Sequence, residues 1–240
     1  MPNGKEGAQV LNKVKIGKYE ITTDFLIFLI ISVLMGIVAA VENTSLANRL
    51  YEELNFTVMQ RSMLETPREL PGLLTVVIIG MLNSLGDIRI AAFANIIGGI
   101  GLMFFGLVPN QFSLILIFLV VFSTGQHLYV PMNNSITMSF AHGQNFGQRL
   151  GQIQGLGSLS IIVASAVLFL LYRFFNVSYQ VVFVFASFAM ILAGILFLFM
   201  KSDGTKVAGK KRFVFRKEYY LYYIMSIVNG ARKQITLTFV

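Results

Sequence analysis

The chain contains no cysteine and no tryptophan, only five prolines in 240 residues, and only 12% charged residues. Without cysteine there are no disulfides and no thiolate metal sites, and the redox compartment stays undefined. The scarcity of charge, against about a quarter in a soluble domain, excludes a solvated globular fold of this length. Its two histidines, His127 and His142, have no acid cluster beside them, which argues against a metal centre. A Gly-Lys-Ser/Thr phosphate loop, a His-Glu-x-x-His motif and a nucleophile elbow are all missing, so neither an enzyme, an ATP-driven motor nor a cofactor is expected. The first 21 residues are polar and lack the apolar core of a removable signal peptide.

What is present is hydrophobic, at 55% of residues, and gathered into six runs: Asp24–Val41, Leu70–Leu85, Ile90–Val108, Phe112–Val130, Ile153–Tyr172 and Tyr179–Met200. A run of about 18 or more residues with few charges marks a membrane-spanning helix. A barrel would instead show alternation in segments of about 10 residues. The expected fold is therefore all-α, a polytopic bundle with the lipid bilayer as its solvent. Residues 1–21 form a polar N-terminal segment, 22–200 the six-helix bundle, and 201–217 a flexible basic linker. Residues 218–240 begin a seventh helix that stops at Val240 without a polar flank, which reads as a fragment cut inside a span.

The net charge of +8 does not point to nucleic acid, because the cations follow topology. With the N-terminus cytoplasmic, thirteen Lys and Arg fall on the inner side, against Arg49, Arg61, Arg68 and Arg173 outside. That bias predicts a multi-pass protein of the cell membrane with its N-terminus inside, and contact with anionic lipid. Asn43, Asn55 and Asn176 open glycosylation-type triplets on the outer side, which short polar turns explain equally well.

Six helices, a basic linker and a new helix form a layout that resembles the N-terminal half of a major facilitator superfamily transporter. Between helices two and three, Asn83-Ser84-Leu85-Gly86-Asp87-Ile88-Arg89 is similar to that family's signature, with Gly86 and Arg89 matching. Asn83 and Ser84 stand where the family has Asp and Arg. Gly147-Gln148-Arg149-Leu150-Gly151, followed by Gly155, resembles the entry to the family's fifth helix, and Asn229–Gln234 the early seventh helix of some members. The resemblance implies two three-helix inverted repeats, faintly echoed in Glu42–Ser45 and Asn133–Ser135. It also implies alternating access around a midplane site, moving a small solute with proton or ion coupling. By the same resemblance Gly86, Asp87 and Arg89 are gating or coupling candidates.

Helix four is the richest in polar side chains. Ser123, Gln126, Asn133 and Thr137 fall on one stripe, with Thr124, His127 and Asn134 beside it. Polar groups facing lipid cost several kcal/mol each if unsatisfied, roughly. The stripe therefore faces either a neighbouring helix or a water-filled cavity, and Ser123, Gln126, His127 and Asn133 are candidates to bind substrate. His127 is suited to carry a proton, since an unperturbed imidazole titrates near about pH 6.5; a satisfied structural histidine is the plainer alternative. Asn229 and Arg232 share a face of helix seven beside Lys233, and cations at that depth hint at an anionic group on the solute. Glu65, Arg68 and Glu69 lie near the outer end of helix two and Glu42 near that of helix one. They are expected as a salt-bridged cluster, an extracellular gate or a coupling site. Gly147, Gly151 and Gly155, and likewise Ala94 and Gly98, are spaced for close helix packing. Two further readings remain open: a non-transport membrane scaffold or assembly protein, and a half-transporter that dimerises.

Overall fold

The computed structural model describes residues 13–16, 19–82, 84–140 and 146–201, with the single positions 217, 220, 221, 224 and 225. Asn83, His142, Asn229, Arg232, Lys233 and nearly all of the linker and seventh helix lie outside the described residues. A short antiparallel hairpin, β1 (Lys13–Ile16) and β2 (Tyr19–Thr22), precedes a body of six helices. These are α1 (Thr23–Asn48), α2 (Val58–Leu82), α3 (Asp87–Leu107), α4 (Phe112–Phe140), α5 (Phe146–Phe175) and α6 (Tyr179–Phe199). The side chains of Thr22 and Ser178 cap α1 and α6 by accepting from the backbone N–H of Phe25 and Val181. At the start of α3, Gly86 takes the left-handed φ of +81° that a side chain resists.

Five helices are long and apolar enough to cross a membrane, which fits an integral multi-pass protein: α1, α3, α4, α5 and α6. The second run behaves differently from its expected span of Leu70–Leu85. Its helix begins twelve residues earlier, at Val58, and takes in Arg61, Glu65, Arg68 and Glu69. It has the length to cross but not the composition, and Arg68 and Glu69 find partners on α1 and α4. The supposed outer loop Asn43–Gln60 is a second correction. α1 runs on through Asn48 and then winds as a π-helical turn, Arg49–Glu53, closed by the Leu54 N–H donating to the Arg49 carbonyl. Asn55, at φ +54°, breaks the turn in the left-handed region that Asn tolerates, and Asn176 does the same between α5 and α6. The polar stretch after Val130 continues α4 to Phe140 across Pro131.

The helices pack in one spatial order: α5 against α1, α1 against α6, α6 against α3, α3 against α4, and α4 against α2. Exchanging α1, α2 and α3 for α4, α5 and α6 leaves this order unchanged, the pattern expected of two three-helix repeats. Contact at the seams is backbone to backbone. A Cβ on Gly125 of α4 would stand 2.4 Å from the Ala94 carbonyl oxygen and 2.5 Å from Gly98 Cα of α3. On the other side of α3, a Cβ on Gly194 of α6 would meet the Ala92 carbonyl at 2.9 Å. Gly36 of α1 gives α5 the same closeness, and there Ser160 donates its hydroxyl to the Val33 carbonyl at 2.7 Å. The Ala94/Gly98 pair packs as its spacing suggests. Among the described residues nothing lies within 4 Å of a Cβ on Gly147, Gly151 or Gly155, and α5 meets α1 through its other face. Between α5 and α6, floored by α1, an apolar groove of about 650 Å³ is lined by residues such as Ile37, Val163 and Phe185.

One end of the bundle, which we call distal, carries the α1–α2, α3–α4 and α5–α6 connections, and it is held by Arg49. Arg49 is 2% exposed and lies over the rings of Phe105 (4.7 Å) and Phe183 (5.6 Å). It donates to the Phe105 carbonyl and pairs with Glu53 at 3.2 Å. The same end is tied by Asn110 Nδ2 donating to the Leu54 carbonyl, Tyr172 to Ser45 and Tyr179 to Glu52. Desolvated cation–π and charged hydrogen-bond contacts are worth about 2 kcal/mol each. Arg49→Ala should therefore lower stability by about 2–4 kcal/mol, read from unfolding in detergent micelles. Gly125→Val should also sharply lower the midpoint, because overpacking against backbone has nowhere to relax. Gly151→Ala, with no described residue within 4 Å of the added Cβ, should leave it unchanged.

Candidate functional site

Halfway along the bundle, polar side chains from α1, α2 and α4 converge. Glu42 sits about 28 Å along an α1-plus-turn of about 46 Å, and Gln126 about 21 Å along an α4 of about 43 Å, at 1.5 Å per residue. Glu42 is therefore well inside its helix and not at its outer end, because α1 is longer than its apolar run. At its centre is the guanidinium of Arg68. Nη2 lies 2.9 Å from Glu42 Oε1, and Nη1 lies 3.2 and 3.3 Å from the two oxygens of Glu65. Gln126 donates from Nε2 to the other oxygen of Glu42. Ser123 donates its hydroxyl to the Arg68 carbonyl, one turn before the Pro71 break. One turn further along, His127 Nε2 lies 3.4 Å from Glu69 Oε2.

Local sequence explains why these groups reach each other. Gly72 has no side chain, so the imidazole of His127 rests against the α2 backbone; a Cβ there would be 2.8 Å from Cε1. α2 and α4 run parallel, since 68 meets 123 and 72 meets 127, so a single register aligns every pair. Prolines at 67 and 71 remove the N–H donors that would bond the carbonyls of Met63 and Pro67. Close by, Thr75 donates to the Pro71 carbonyl and Ser123 to that of Arg68.

Candidates that the sequence places in two separate groups, midplane binding residues and an outer gate, thus form one network. Ser123, Gln126 and His127 of α4 join Glu42, Glu65, Arg68 and Glu69. Asn133 stays outside it: it accepts from Tyr129 within its own helix at 3.0 Å, beyond Pro131. Thr124 bonds back to the Val120 carbonyl, Thr137 is buried and Asn134 is exposed. At the other end of the bundle Asp87 accepts from Ser135, tying α3 to α4, while Arg89 is exposed and Gly86 serves the turn. Arg149 there lies over the ring of Phe25 at 4.4 Å, tying α5 to α1. Arg49 is the residue that sequence reading misses. It counts as a loop cation until the helix is seen to continue, and its i,i+4 spacing to Glu53 was the available signal.

The network holds three carboxylates, one guanidinium and one imidazole. Its carboxylates, guanidinium and imidazole are partly exposed, from 16% for Glu42 to 37% for Glu69, while Ser123 is buried. One Arg shared by two carboxylates is left with excess negative charge, which low dielectric penalises. Among the described residues no group of three or more ligands is placed to hold a metal ion. No protein-family description, no curated protein and no solved structure matches this chain. The site is therefore read from its own chemistry.

Removing the shared cation should cost more than removing one of its partners. Arg68→Gln leaves Glu42 and Glu65 together without compensation and should lose about 2–4 kcal/mol, less where water screens the pair. Glu42→Gln preserves shape and keeps an acceptor for Gln126, so about 1 kcal/mol is expected. Unfolding midpoints of the two variants in the same detergent check the order, and equal losses would mean that Arg68 is not shared.

Proposed function

We propose that this chain is part of a secondary transporter that moves a small solute across a membrane by alternating access, in the manner of the major facilitator superfamily its layout resembles. The observation that carries the reading is the mid-height network of Glu42, Glu65, Arg68, Ser123 and Gln126, which joins three helices where a soluble protein would have apolar core. Charged groups at membrane depth are costly and mark substrate or ion pathways. The packing order, unchanged when the two sets of three helices are exchanged, supports a repeat-built transporter. Glu42, Glu65, Arg68 and Glu69 would couple a proton or ion to movement, with Gln126, Ser123 and His127 lining the solute path. An anionic group on the solute rests on Arg232 and Lys233 alone, since the network itself is rich in acid. A cytoplasmic N-terminus in the cell membrane follows from the charge bias, which sharpens once Arg49 and Arg68 are removed from the loops.

A scaffold or assembly protein on the same fold is the second reading, favoured by how fully Arg68 and Arg49 are engaged in internal ties. Proteoliposomes that hold the native gene product and a trapped pH indicator separate the two. Solutes from an anionic, cationic and neutral panel are added under an imposed pH gradient. Transport predicts a solute-dependent pH change that Glu42→Gln lowers at least about tenfold, as expected when about 1.4 kcal/mol or more of coupling is lost. Folded protein that gives no signal with any solute, and tolerates Glu42→Gln and Arg68→Gln in the cell, would leave the scaffold.

A further inference from the structure

We propose that the groove between α5 and α6 holds one acyl chain of a distal-leaflet phospholipid. The proposal rests on the chain being membrane-embedded, and it stands whether or not a solute is transported. The groove follows from where the glycines are. Gly36 draws α5 onto α1, where an added Cβ would stand 2.6 Å from Ser160 Cβ. Gly99 draws α6 onto α3, where an added Cβ would stand 3.1 Å from the Ser187 carbonyl oxygen. Only residues 176–178 connect α5 to α6, yet the two helices pack on α1 far more than on one another. The gap left between them is the groove, with α1 as its floor.

Its chemistry suits hydrocarbon. Among the described residues every lining side chain is aliphatic or aromatic except Ser160, and that hydroxyl already donates to the Val33 carbonyl. Its size suits a single chain. Along the roughly 44 Å of α5 the lining runs from Leu156 to Leu171, about 22 Å, and ends about 6 Å short of the distal end. A hydrocarbon core about 30 Å thick, centred on this helix, contains that stretch and has its distal boundary at the mouth. Over such a length 650 Å³ gives a cross-section of about 30 Å². A helix with its side chains is about 10–12 Å across and needs about 80–110 Å², so it cannot enter, whereas one extended hydrocarbon chain can. The groove is continuous with the apolar outer surface of both helices, exposed at Ile162, Phe169 and Phe188, which the bilayer covers. A recess left without atoms forfeits dispersion contacts along its walls, so a neighbouring chain is drawn in. Charge at the mouth fits a lipid phosphate. The exposed Arg173, in the last turn of α5, sets a cation at headgroup level, while Glu52 and Glu53 are engaged by Tyr179 and Arg49. The acyl chain therefore enters past Leu171 and Val177 and runs inward towards Val33 and Leu156.

The test counts lipids on the full chain in mild detergent, titrated with palmitoyl-oleoyl-phosphatidylglycerol and read by native mass spectrometry. A first lipid should bind at one per chain, ahead of weaker ones. Val163→Trp and Val181→Trp narrow the groove from its two walls, at positions 53% and 58% exposed, where the larger side chain does not overpack the core. Each should weaken that first lipid at least about tenfold. Ile162→Trp, the next position on α5 but outside the lining and 66% exposed, should leave it unchanged. Oleate should displace the lipid, and glycerol phosphate, the headgroup without chains, should not. A benzophenone side chain at Phe185, irradiated in vesicles of the same lipid, should form a lipid adduct, a readout that needs neither tryptophan variant to fold. Uptake with no first lipid would overturn the proposal, as would an equal loss in Ile162→Trp or displacement by glycerol phosphate. An adduct with residues 218–240 or with a second copy in place of lipid would also overturn it, assigning the groove to protein.

Discussion

Everything in this bundle hangs on how closely α3 approaches α4 and α6. Lipid tails are as apolar as leucine, so helices in a bilayer gain nothing from hiding apolar surface from one another. They associate through packing and polar contacts instead. Gly98, Gly125 and Gly194 bring backbone against backbone at distances no side chain permits. Those contacts form a rigid spine, α6–α3–α4, from which α1 and α2 are positioned. The two halves of the core, one around Phe105, Phe122 and Phe183 and the other around Phe28, Tyr129 and Phe197, fill in above and below.

With the spine set, the polar chemistry has a definite place. α1 and α4 are held near enough for Gln126 to reach Glu42, and α2 follows α4 in parallel because Gly72 and His127 interlock. The result is a layered arrangement: Arg49 ties the distal end, and Arg68 and His127 tie the middle. α3 is the most deeply packed of the spanning helices, and α2 lies at the margin of the packing order.

Much of this was legible in the residues. Five of the six expected spanning helices, the polar face of α4 and the charge pattern of α2 come from continuous apolar runs and i, i+3, i+4 spacing, which are local properties. The pairing of Glu42 with Arg68 was within reach of sequence reasoning because a single connection joins α1 to α2 close to both residues. The burial of Arg49 was not. A cation past the end of an apolar run looks solvated until the helix is seen to continue beneath two phenylalanines. At Gly147, Gly151 and Gly155 the spacing permits close packing, but among the described residues it meets no partner.

The sequence by itself determined that the chain is helical and membrane-embedded, because hydropathy and backbone satisfaction in hydrocarbon leave no alternative. It also determined which face of α4 carries polar groups, since helical period is a property of one helix. Only the tertiary structure decided that a supposed gate and a supposed binding face are one network, and that Asn133 is no part of it. Those outcomes depend on the register between α2 and α4 and on how far α1 extends. Register is set by glycine contacts between segments distant in the chain, which no single helix encodes.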